Sequence, residues 1–309
     1  MLEEFEYVVK NSKYVKINDD RLNDCINALG KPNYTHWSKE ISIDLNEEKW
    51  ILLAFIIESM NFCFWKKPKW KIEYNNEEFS GSNALFYSVI KKVKNNPDFL
   101  DIDYLYSLKQ DDLKEIFKPT SGQIPLLEER YNNFREVIEY VKFNKNFYNE
   151  LYNIKTDKEL LRYIVTNFKS FGDKSLYKEK TIHFNKRATL LTNDLFYLSN
   201  KIRKNISNVN NLSGCADYGI PRTFRDYGIL EYSPSLANKV DNEIEIPHDS
   251  EMEIEIRANM LYVVEKIKEY FNDKSISINS VELDNLIWLL GKNNKDRKSI
   301  AHHTVTIYY

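Results

Sequence analysis

Glycine and proline are scarce in this chain, with only 8 of each among its 309 residues. Both residue types interrupt regular structure, so their scarcity favours long helices over many short strands. Apolar residues recur with helical spacing in six segments. These segments are residues 47–63, 83–94, 125–141, 157–168, 188–204 and 250–271. The pattern predicts a mainly α protein.

Strand signals are fewer. Residues 70–74, the pair Asn75-Asn76 and residues 77–79 have the alternation and the turn chemistry of a short β-hairpin. Residues 180–184 predict a second extended piece. We therefore expect a small β element on one side of a helical protein.

Helix starts and domain limits are also readable. Pro125 suits a first helical position, and Thr156 or Asp157 can cap the helix that follows. No composition shift marks a boundary, so we expect a single domain over residues 1–309, or two intimately packed helical lobes.

The charge balance and the cysteines exclude several classes of protein. The formal net charge is only -2, which argues against a general nucleic-acid binder. Cys25, Cys63 and Cys215 form no CxxC pair, so we expect neither a zinc site nor a disulfide framework. The N-terminus lacks the features of a signal peptide, and the longest apolar stretch, residues 50–57, is too short to span a bilayer. These features predict a cytoplasmic protein without membrane contact.

The first candidate site is the run Asn61-Phe62-Cys63-Phe64-Trp65, at the end of an apolar helix. Successive helical side chains point about 100° apart, so one core cannot take all three rings. Rings beside an amide suit stacking on a nucleobase and bonding its edge. Simple packing at a helix end is the alternative, and the pattern alone favours it.

The second candidate joins Lys186 and Asp194, which lie about two helical turns apart. Such a pair is either a structural ion pair, which the local pattern favours, or a device that tunes a catalytic carboxylate. The third is Asp217, between small residues and ahead of Pro221 and Arg222. It suits a catalytic loop carboxylate and a helix cap equally well.

Two further segments carry charge. Acids alternate with apolar residues up to Arg257, which is typical of a first helical turn. If Glu255 or Arg257 turned inward, it would need a partner or a ligand. His302-His303 lies close to the end of the sequence, and anion binding suits it better than a metal, for which no third ligand has a recognisable spacing. A disordered tail is the alternative.

Several short motifs, taken in order, resemble the queuosine salvage family of queuosine 5′-phosphate N-glycosylase/hydrolases over nearly the whole chain. The matching motifs are Asn61-Phe62-Cys63-Phe64-Trp65, Phe79-Ser80-Gly81, Pro125-Leu126-Leu127-Glu128-Glu129-Arg130, Phe168-Lys169-Ser170-Phe171, Lys186-Arg187-Ala188, Ala216-Asp217-Tyr218 with Pro221, Glu253-Ile254-Glu255-Ile256-Arg257-Ala258 and His302-His303-Thr304. The resemblance implies a helical fold related to helix-hairpin-helix DNA glycosylases. It also implies release of queuine from queuosine 5′-monophosphate, without a metal or organic cofactor.

Chemical reasoning assigns roles to the candidate residues. Hydrolysis of an N-glycosidic bond needs negative charge near C1′ and a positioned water. We expect Asp217 to supply that charge, with Asp194 as a second acid that orients water or ribose hydroxyls and Lys186 holding one of them ionised. The expected contacts with the base and the 5′-phosphate involve eight further residues. Asn61 and Glu255 would bond the base edge, Phe64, Trp65 and Tyr218 would pack its faces, and Arg222, Arg257 or His303 would bind the phosphate.

Two other functions remain open from the sequence. A DNA or RNA base glycosylase would need a basic groove, which a nearly neutral chain does not predict. A non-catalytic nucleoside-binding module would bind the ligand and release no base. No direct nucleic-acid contact is expected, and protein partners are not predicted.

Overall fold

A computed structural model describes residues 2–198, 201–202, 206 and 208–309. Its helices confirm a mainly α protein. They are α1 (Leu2–Asn11), α2 (Leu22–Leu29), α3 (Glu47–Ser59), α4 (Ser82–Asn95), α5 (Ile102–Ser107), α6 (Gln110–Ile116), α7 (Leu127–Phe143), α8 (Phe147–Asn153), α9 (Asp157–Asn167), α10 (Lys186–Tyr197), α11 (Gly219–Asp226), α12 (Pro234–Asp241), α13 (Glu251–Asp273) and α14 (Ser280–Asn293). Short 3₁₀ turns cover Asp19–Arg21, Trp37–Lys39, Pro97–Leu100 and Lys169–Phe171.

The strands form three separate antiparallel pairs. They are β1 (Val15–Ile17) with β6 (Leu230–Tyr232), β2 (Lys71–Tyr74) with β3 (Glu77–Ser80), and β4 (Lys174–Tyr177) with β5 (Lys180–His183). The second pair confirms the predicted hairpin, and β5 confirms the extended piece at residues 180–184. The pairing of β1 with β6 was not predicted, because it joins segments distant in sequence and local patterns do not report such contacts.

The helix predicted over residues 47–63 ends at Ser59, so the aromatic run lies beyond it and is not helical. Cys63 has a φ of 49°, outside the helical region. The carbonyls of Met60 and Phe62 accept hydrogen bonds from the Arg130 guanidinium. This arginine binds the backbone groups that a longer helix would have paired internally, and it explains the early end.

Three other predicted helices begin at or within two residues of the expected position. Thr156 caps α9 in a reciprocal capping box with Glu159, as predicted. The helix at residues 125–141 begins later, at Leu127, because Leu126 has a φ of 52°. The helix predicted over residues 188–204 begins earlier, at Lys186, and α10 ends at Tyr197. Residues 199–200 and 203–204 of that prediction lie outside the described part of the chain.

The buried apolar side chains form two clusters. One surrounds α3, in which every residue from Trp50 to Ser59 is buried, as expected for a helix covered on all sides. The other surrounds α13. Cys215 belongs to the first cluster and Ala216 to the second, so the segment leading into α11 crosses between them. The choice between a single domain and two packed helical lobes stays a prediction, because one chain segment contributes to both clusters.

Cys25, Cys63 and Cys215 are all buried and carry free thiols. Burial raises the pKa of the Cys25 thiol to about 12. Among the helices of the described residues, none combines the length and the apolar character that a membrane span requires. The segment at residues 301–309 packs against the body of the protein, with Tyr309 only 1% exposed, so the disordered-tail alternative is wrong.

Candidate functional site

Asp217 lies at the N-terminal end of α11, in the segment that crosses between the two apolar clusters. Its Oδ1 accepts hydrogen bonds from the backbone amides of Gly219 (2.7 Å) and Ile220 (3.2 Å). Both bonds use Oδ1, which leaves Oδ2 for a ligand. The carboxylate is therefore a helix cap and a fixed, half-buried acceptor at the same time.

Gly219 permits a close approach beside this carboxylate. A Cβ at this position would lie 2.8 Å from the Trp288 ring and 3.4 Å from Asp217 Oδ1. Any larger residue would therefore displace the indole or the carboxylate. Because Gly219 has no Cβ, α11 can pack closely against Trp288 of α14 beside Asp217.

Arg257 fixes the backbone that carries Asp217. Its Nε donates to the Ala216 carbonyl at 3.1 Å, and its two terminal nitrogens donate to Asp173 and Glu253. Burial lowers the pKa of Arg257, but the charges of Asp173 and Glu253 outweigh it and raise the pKa overall. The side chain is 0% exposed, so the structure places Arg257 under the site and does not present it to a phosphate.

Lys186 begins α10 and is nearly buried, at 6% exposure. Its Nζ donates to the Asn61 carbonyl at 3.1 Å, which joins α10 to the aromatic run. Burial raises the pKa values of Glu58 and Asp284, and the charge of Lys186 opposes that rise in each, so both carboxyls lie near this lysine. The resulting group holds several acids around one lysine.

Glu58 and Asp284 are the buried acids of this group, and neither was predicted from the sequence. Burial, with the Asp194 charge, raises the pKa of Glu58 to about 8, and the Asn61 side-chain amide donates to both of its oxygens. Burial and the Asp217 charge raise the pKa of Asp284 well above its ordinary value. Asp284 Oδ1 accepts from the Cys215 amide at 3.0 Å, two residues before Asp217.

The aromatic run forms one side of this group. Phe62 and Cys63 are buried, whereas Phe64 and Trp65 are half-buried. The Arg130 guanidinium lies 4.3 Å from the Phe62 ring centre and 4.6 Å from that of Phe64. The Phe62 ring therefore lies in the interior, and the rings of Phe64 and Trp65 lie at a partly open surface.

Tyr218 connects the aromatic run to Asp217. Burial and the Asp217 charge raise the pKa of its hydroxyl, while a hydrogen bond with the backbone at Phe64 opposes that rise. Through this bond, residue 218 brings the partly open rings beside the carboxylate. Asn61, Phe64, Tyr218, Lys186 and Asp217 therefore lie in one connected group, and their roles in catalysis and binding stay a prediction.

Trp65 and His303 stack on each other at the edge of the site, with ring centres 4.2 Å apart and an angle of 11°. Trp65 Nε1 also donates to the Thr304 carbonyl at 2.9 Å. Burial lowers the pKa of His303, which disfavours its cationic form. The charges of Glu243 and Glu245 oppose this shift, while the charge of Lys67 adds to it.

One cationic side chain, Arg222, lies near Asp217, and two others, Lys69 and Arg297, lie near Arg222. Burial lowers the pKa of Arg222, and the charge of Arg297 lowers it further while Asp217 raises it. Burial, Arg297 and Arg222 lower the pKa of Lys69 in the same way. The buried Nε of Arg222 has no partner among the described residues. Lys69 and Arg297 were not predicted, although each lies in a short basic run of the sequence.

Glu255 lies away from this site. Its carboxylate accepts from the backbone amides of Lys13, Tyr14 and Val15 and from the Tyr177 hydroxyl. It is 0% exposed. Glu255 therefore holds the backbone at the start of β1 in place, and its carboxylate is bonded there and not to a group beside Asp217.

One group of side chains among the described residues has the spacing of metal ligands. Atoms of His248, Asp249 and Glu253 lie within 4.8 Å of one another. Arg257 Nη1 lies 3.1 Å from Glu253, and its positive charge disfavours a cation there. We therefore assign no metal to this group.

Comparison with known proteins gives a consistent result. Residues 41–309 match the family model described as queuosine salvage protein. A protein from Dictyostelium discoideum named queuosine 5′-phosphate N-glycosylase/hydrolase is 31% identical, over 96% of this chain and 95% of its own length. Proteins of the same name from Sphaerobacter thermophilus and Mus musculus are 29% and 26% identical, over 98% and 99% of this chain and 95% and 98% of their own lengths. The chain belongs to the queuosine salvage protein family.

Proposed function

We propose that this chain is an N-glycosidase that hydrolyses queuosine 5′-monophosphate and releases queuine for salvage into tRNA. The names of its relatives and its membership of the family support this substrate. The observation that carries the proposal is the position of Asp217. Its carboxylate is fixed by two amides beside the half-buried rings of Phe64 and Tyr218.

The reaction breaks the bond between C1′ of ribose and N9 of the deazaguanine, and the bonding electrons leave with the base. Positive charge develops on the ribose, and a carboxylate at Asp217 stabilises it or attacks C1′. A water oxygen ends on C1′, and a proton from that water ends on N9 of the base. A 7-deazaguanine has no N7 to protonate, so stabilisation of the ribosyl cation carries more of the catalysis.

The base and the phosphate would contact different parts of the site. Phe64, Tyr218 and the edge formed by Trp65 would pack the base, while Asn61 and Lys186 would bond it. Arg222, with Lys69 and Arg297 beside it, is the best placed of the predicted phosphate ligands. Burial, followed by the charges of neighbouring cations, lowers the pKa values of Arg222 and Lys69, and a bound dianion would offset that repulsion.

Other predicted ligands have different positions. His303 would reach the ligand only through Trp65, on which it stacks. We place Arg257 and Glu255 in support of the backbone, because each is 0% exposed and fully bonded. Asp194, whose Oδ1 accepts from His36 and Trp37, would act on the base and not at C1′.

The test is turnover of queuosine 5′-monophosphate, followed as free queuine, by the wild type and by Asp217→Asn. We expect kcat/KM of the variant to fall by about 100-fold or more, because the amide cannot balance the developing charge. Asp241→Asn is the matched control, since Asp241 lies half-exposed on α12 and pairs with Arg225. Activity of Asp217→Asn within a few-fold of the wild type would remove Asp217 from the chemistry.

The same assay separates the alternatives. A non-catalytic binding module would retain the nucleotide and release no queuine on prolonged incubation. A nucleic-acid glycosylase would bind duplex DNA with strong salt dependence. We also infer a cytoplasmic location, because three buried free thiols are typical of a reducing compartment.

A further inference from the structure

Asp194 lies on α10 with one carboxylate oxygen fixed and the other unused. Its Oδ1 accepts from His36 Nε2 and from Trp37 Nε1, each at 3.0 Å. The Ser38 amide donates to His36 Nδ1, which assigns the ring proton to Nε2 and makes His36 the donor. Asp194 is 5% exposed, and its Oδ2 has no partner among the described residues. A buried carboxylate oxygen without a donor costs free energy, so this oxygen is expected to meet a ligand.

The preceding residue of α10 also carries an acceptor that is unpaired among the described residues. Asn193 is 1% exposed, and its Oδ1 also has no partner within the described chain. The Tyr34 ring lies against both residues: burial and the Asp194 charge raise the pKa of its hydroxyl, and a hydrogen bond with Asn193 opposes them. Successive helical side chains point about 100° apart, so the Asn193 oxygen faces a different direction from Asp194 Oδ2. Asp194 Oδ2 is therefore the acceptor considered for a cationic ligand.

This end of α10 is continuous with the proposed active site. Glu58 responds to the charges of both Asp194 and Lys186, so its carboxyl lies near the two of them. Eight residues separate Lys186 from Asp194 on one helix, which corresponds to about 12 Å. A base that spans part of this distance would direct its C7 side chain to Asp194.

No lysine or arginine of the described residues forms an ion pair with Asp194, whose partner groups are His36 and Trp37. A cationic ligand would therefore find an acceptor that no protein cation already uses. Queuosine 5′-monophosphate offers one, because C7 of its deazaguanine carries a methylene-linked secondary amine with a cyclopentenediol. When protonated, that amine has two N–H donors and a positive charge.

We propose that Asp194 Oδ2 binds the protonated amine of the C7 side chain and thereby selects queuosine 5′-monophosphate over nucleotides that lack it. This inference rests on the proposed function. His36 and Trp37 act as positioning residues, because they hold Oδ1 and so aim Oδ2. A charge-assisted hydrogen bond in a buried site accounts for about 10- to 100-fold in kcat/KM.

The test compares two substrates, queuosine 5′-monophosphate and 7-deazaguanosine 5′-monophosphate, which differ only in the C7 side chain. We expect the wild type to prefer the first by about 30-fold or more in kcat/KM. In Asp194→Asn, the new amide would face the amine with its own donors, so most of that preference should be lost. Turnover of 7-deazaguanosine 5′-monophosphate by this variant should change by less than about three-fold.

Asp157→Asn is the matched control. Asp157 is also a buried carboxylate, but it binds the Asn211 backbone and side chain away from the site. Its variant should keep the wild-type ratio between the two substrates, whatever it loses in stability. An equal loss on both substrates in Asp194→Asn would overturn the proposal and place Asp194 in the chemistry, while the proposed function would stand.

A second measurement needs no variant. N-acetylated queuosine 5′-monophosphate carries a neutral amide in place of the amine, so the wild type should turn it over about as slowly as 7-deazaguanosine 5′-monophosphate. Full retention of the preference with the acetylated substrate would contradict recognition of the charge. Failure of the wild type to release base from any of the three nucleotides would instead contradict the proposed function.

Discussion

At the scale of single residues, Glu58 shows how the fold changes the chemistry of a side chain. It lies near the end of α3, 5% exposed, with the Asn61 amide on both oxygens. Burial and the Asp194 charge raise the pKa of Glu58 to about 8, although Lys186 opposes them. The folded protein therefore keeps this proton at pH values where the unfolded chain releases it.

A pH-dependent loss of stability follows for Glu58. Below the ordinary pKa of 4.5 both states are protonated, and between that value and about 8 only the folded state is. Stability should therefore fall as pH rises through this window, by up to about 1.4 kcal/mol per pH unit. Urea unfolding of the wild type and of Glu58→Gln across the window measures it. As pH rises, the free energy of unfolding of the wild type should fall relative to that of Glu58→Gln. A difference between the two that does not change with pH would contradict the raised pKa of Glu58.

At the scale of elements, two of the buried charged residues of α13, Glu255 and Arg257, bind backbone groups of different segments. Glu255 binds the amides ahead of and within β1, which pairs with β6. Arg257, two residues later, binds the Ala216 carbonyl next to Asp217. One helix therefore fixes both the N-terminal segment and the candidate catalytic loop, and its charges act through the backbone.

Glu255→Gln tests that structural role. The amide would place a donor against backbone donors, so we expect a loss of about 2–3 kcal/mol in the free energy of unfolding. In the folded variant, kcat/KM for queuosine 5′-monophosphate should stay within about two-fold of the wild type. Glu251→Gln is the control on the same helix, because its exposed pairing with Lys13 contributes little. A stable Glu255→Gln variant with greatly reduced activity would contradict the structural role and support a contact between Glu255 and the base.

At the scale of the whole molecule, one buried ion network joins distant parts of the chain. Arg257 pairs with Asp173, ahead of β4, and with Glu253, and its guanidinium lies between the rings of Phe184 and Tyr309. The backbone amide of Cys63 in turn donates to the Tyr309 carbonyl at 2.7 Å. The aromatic run, the Asp217 loop and the last residues therefore depend on the same network.

Arg257→Met should be strongly destabilising. It would leave Asp173 and Glu253 buried without their cation, at a cost of about 3–5 kcal/mol in the free energy of unfolding. Arg225→Met removes a comparable pair with the half-exposed Asp241 and should cost about 1 kcal/mol. Denaturant unfolding of both variants makes the comparison. Equal losses would show that the buried network contributes no more than the surface pair.

The sequence by itself determined the local structure of this protein. Apolar spacing predicted α4, α9 and α13 within a few residues, and the Asn75-Asn76 turn predicted the β2–β3 hairpin. These features depend on neighbours in the chain, and periodicity and turn chemistry record such neighbours. Ordered motifs likewise indicated the family, and they named Lys186, Asp217 and Tyr218 before their geometry was known.

Only the tertiary structure decided what the charged side chains face. The acids at positions 253 and 255 have the same local pattern, yet one joins the Arg257 network and the other binds the N-terminal segment. Lys69 and Arg297 approach Arg222 from distant parts of the chain, and His36 and Trp37 reach Asp194 across more than 150 residues. Contacts of this kind depend on how helices pack, because burial and the charges of remote neighbours set the free energy of each ionisable group.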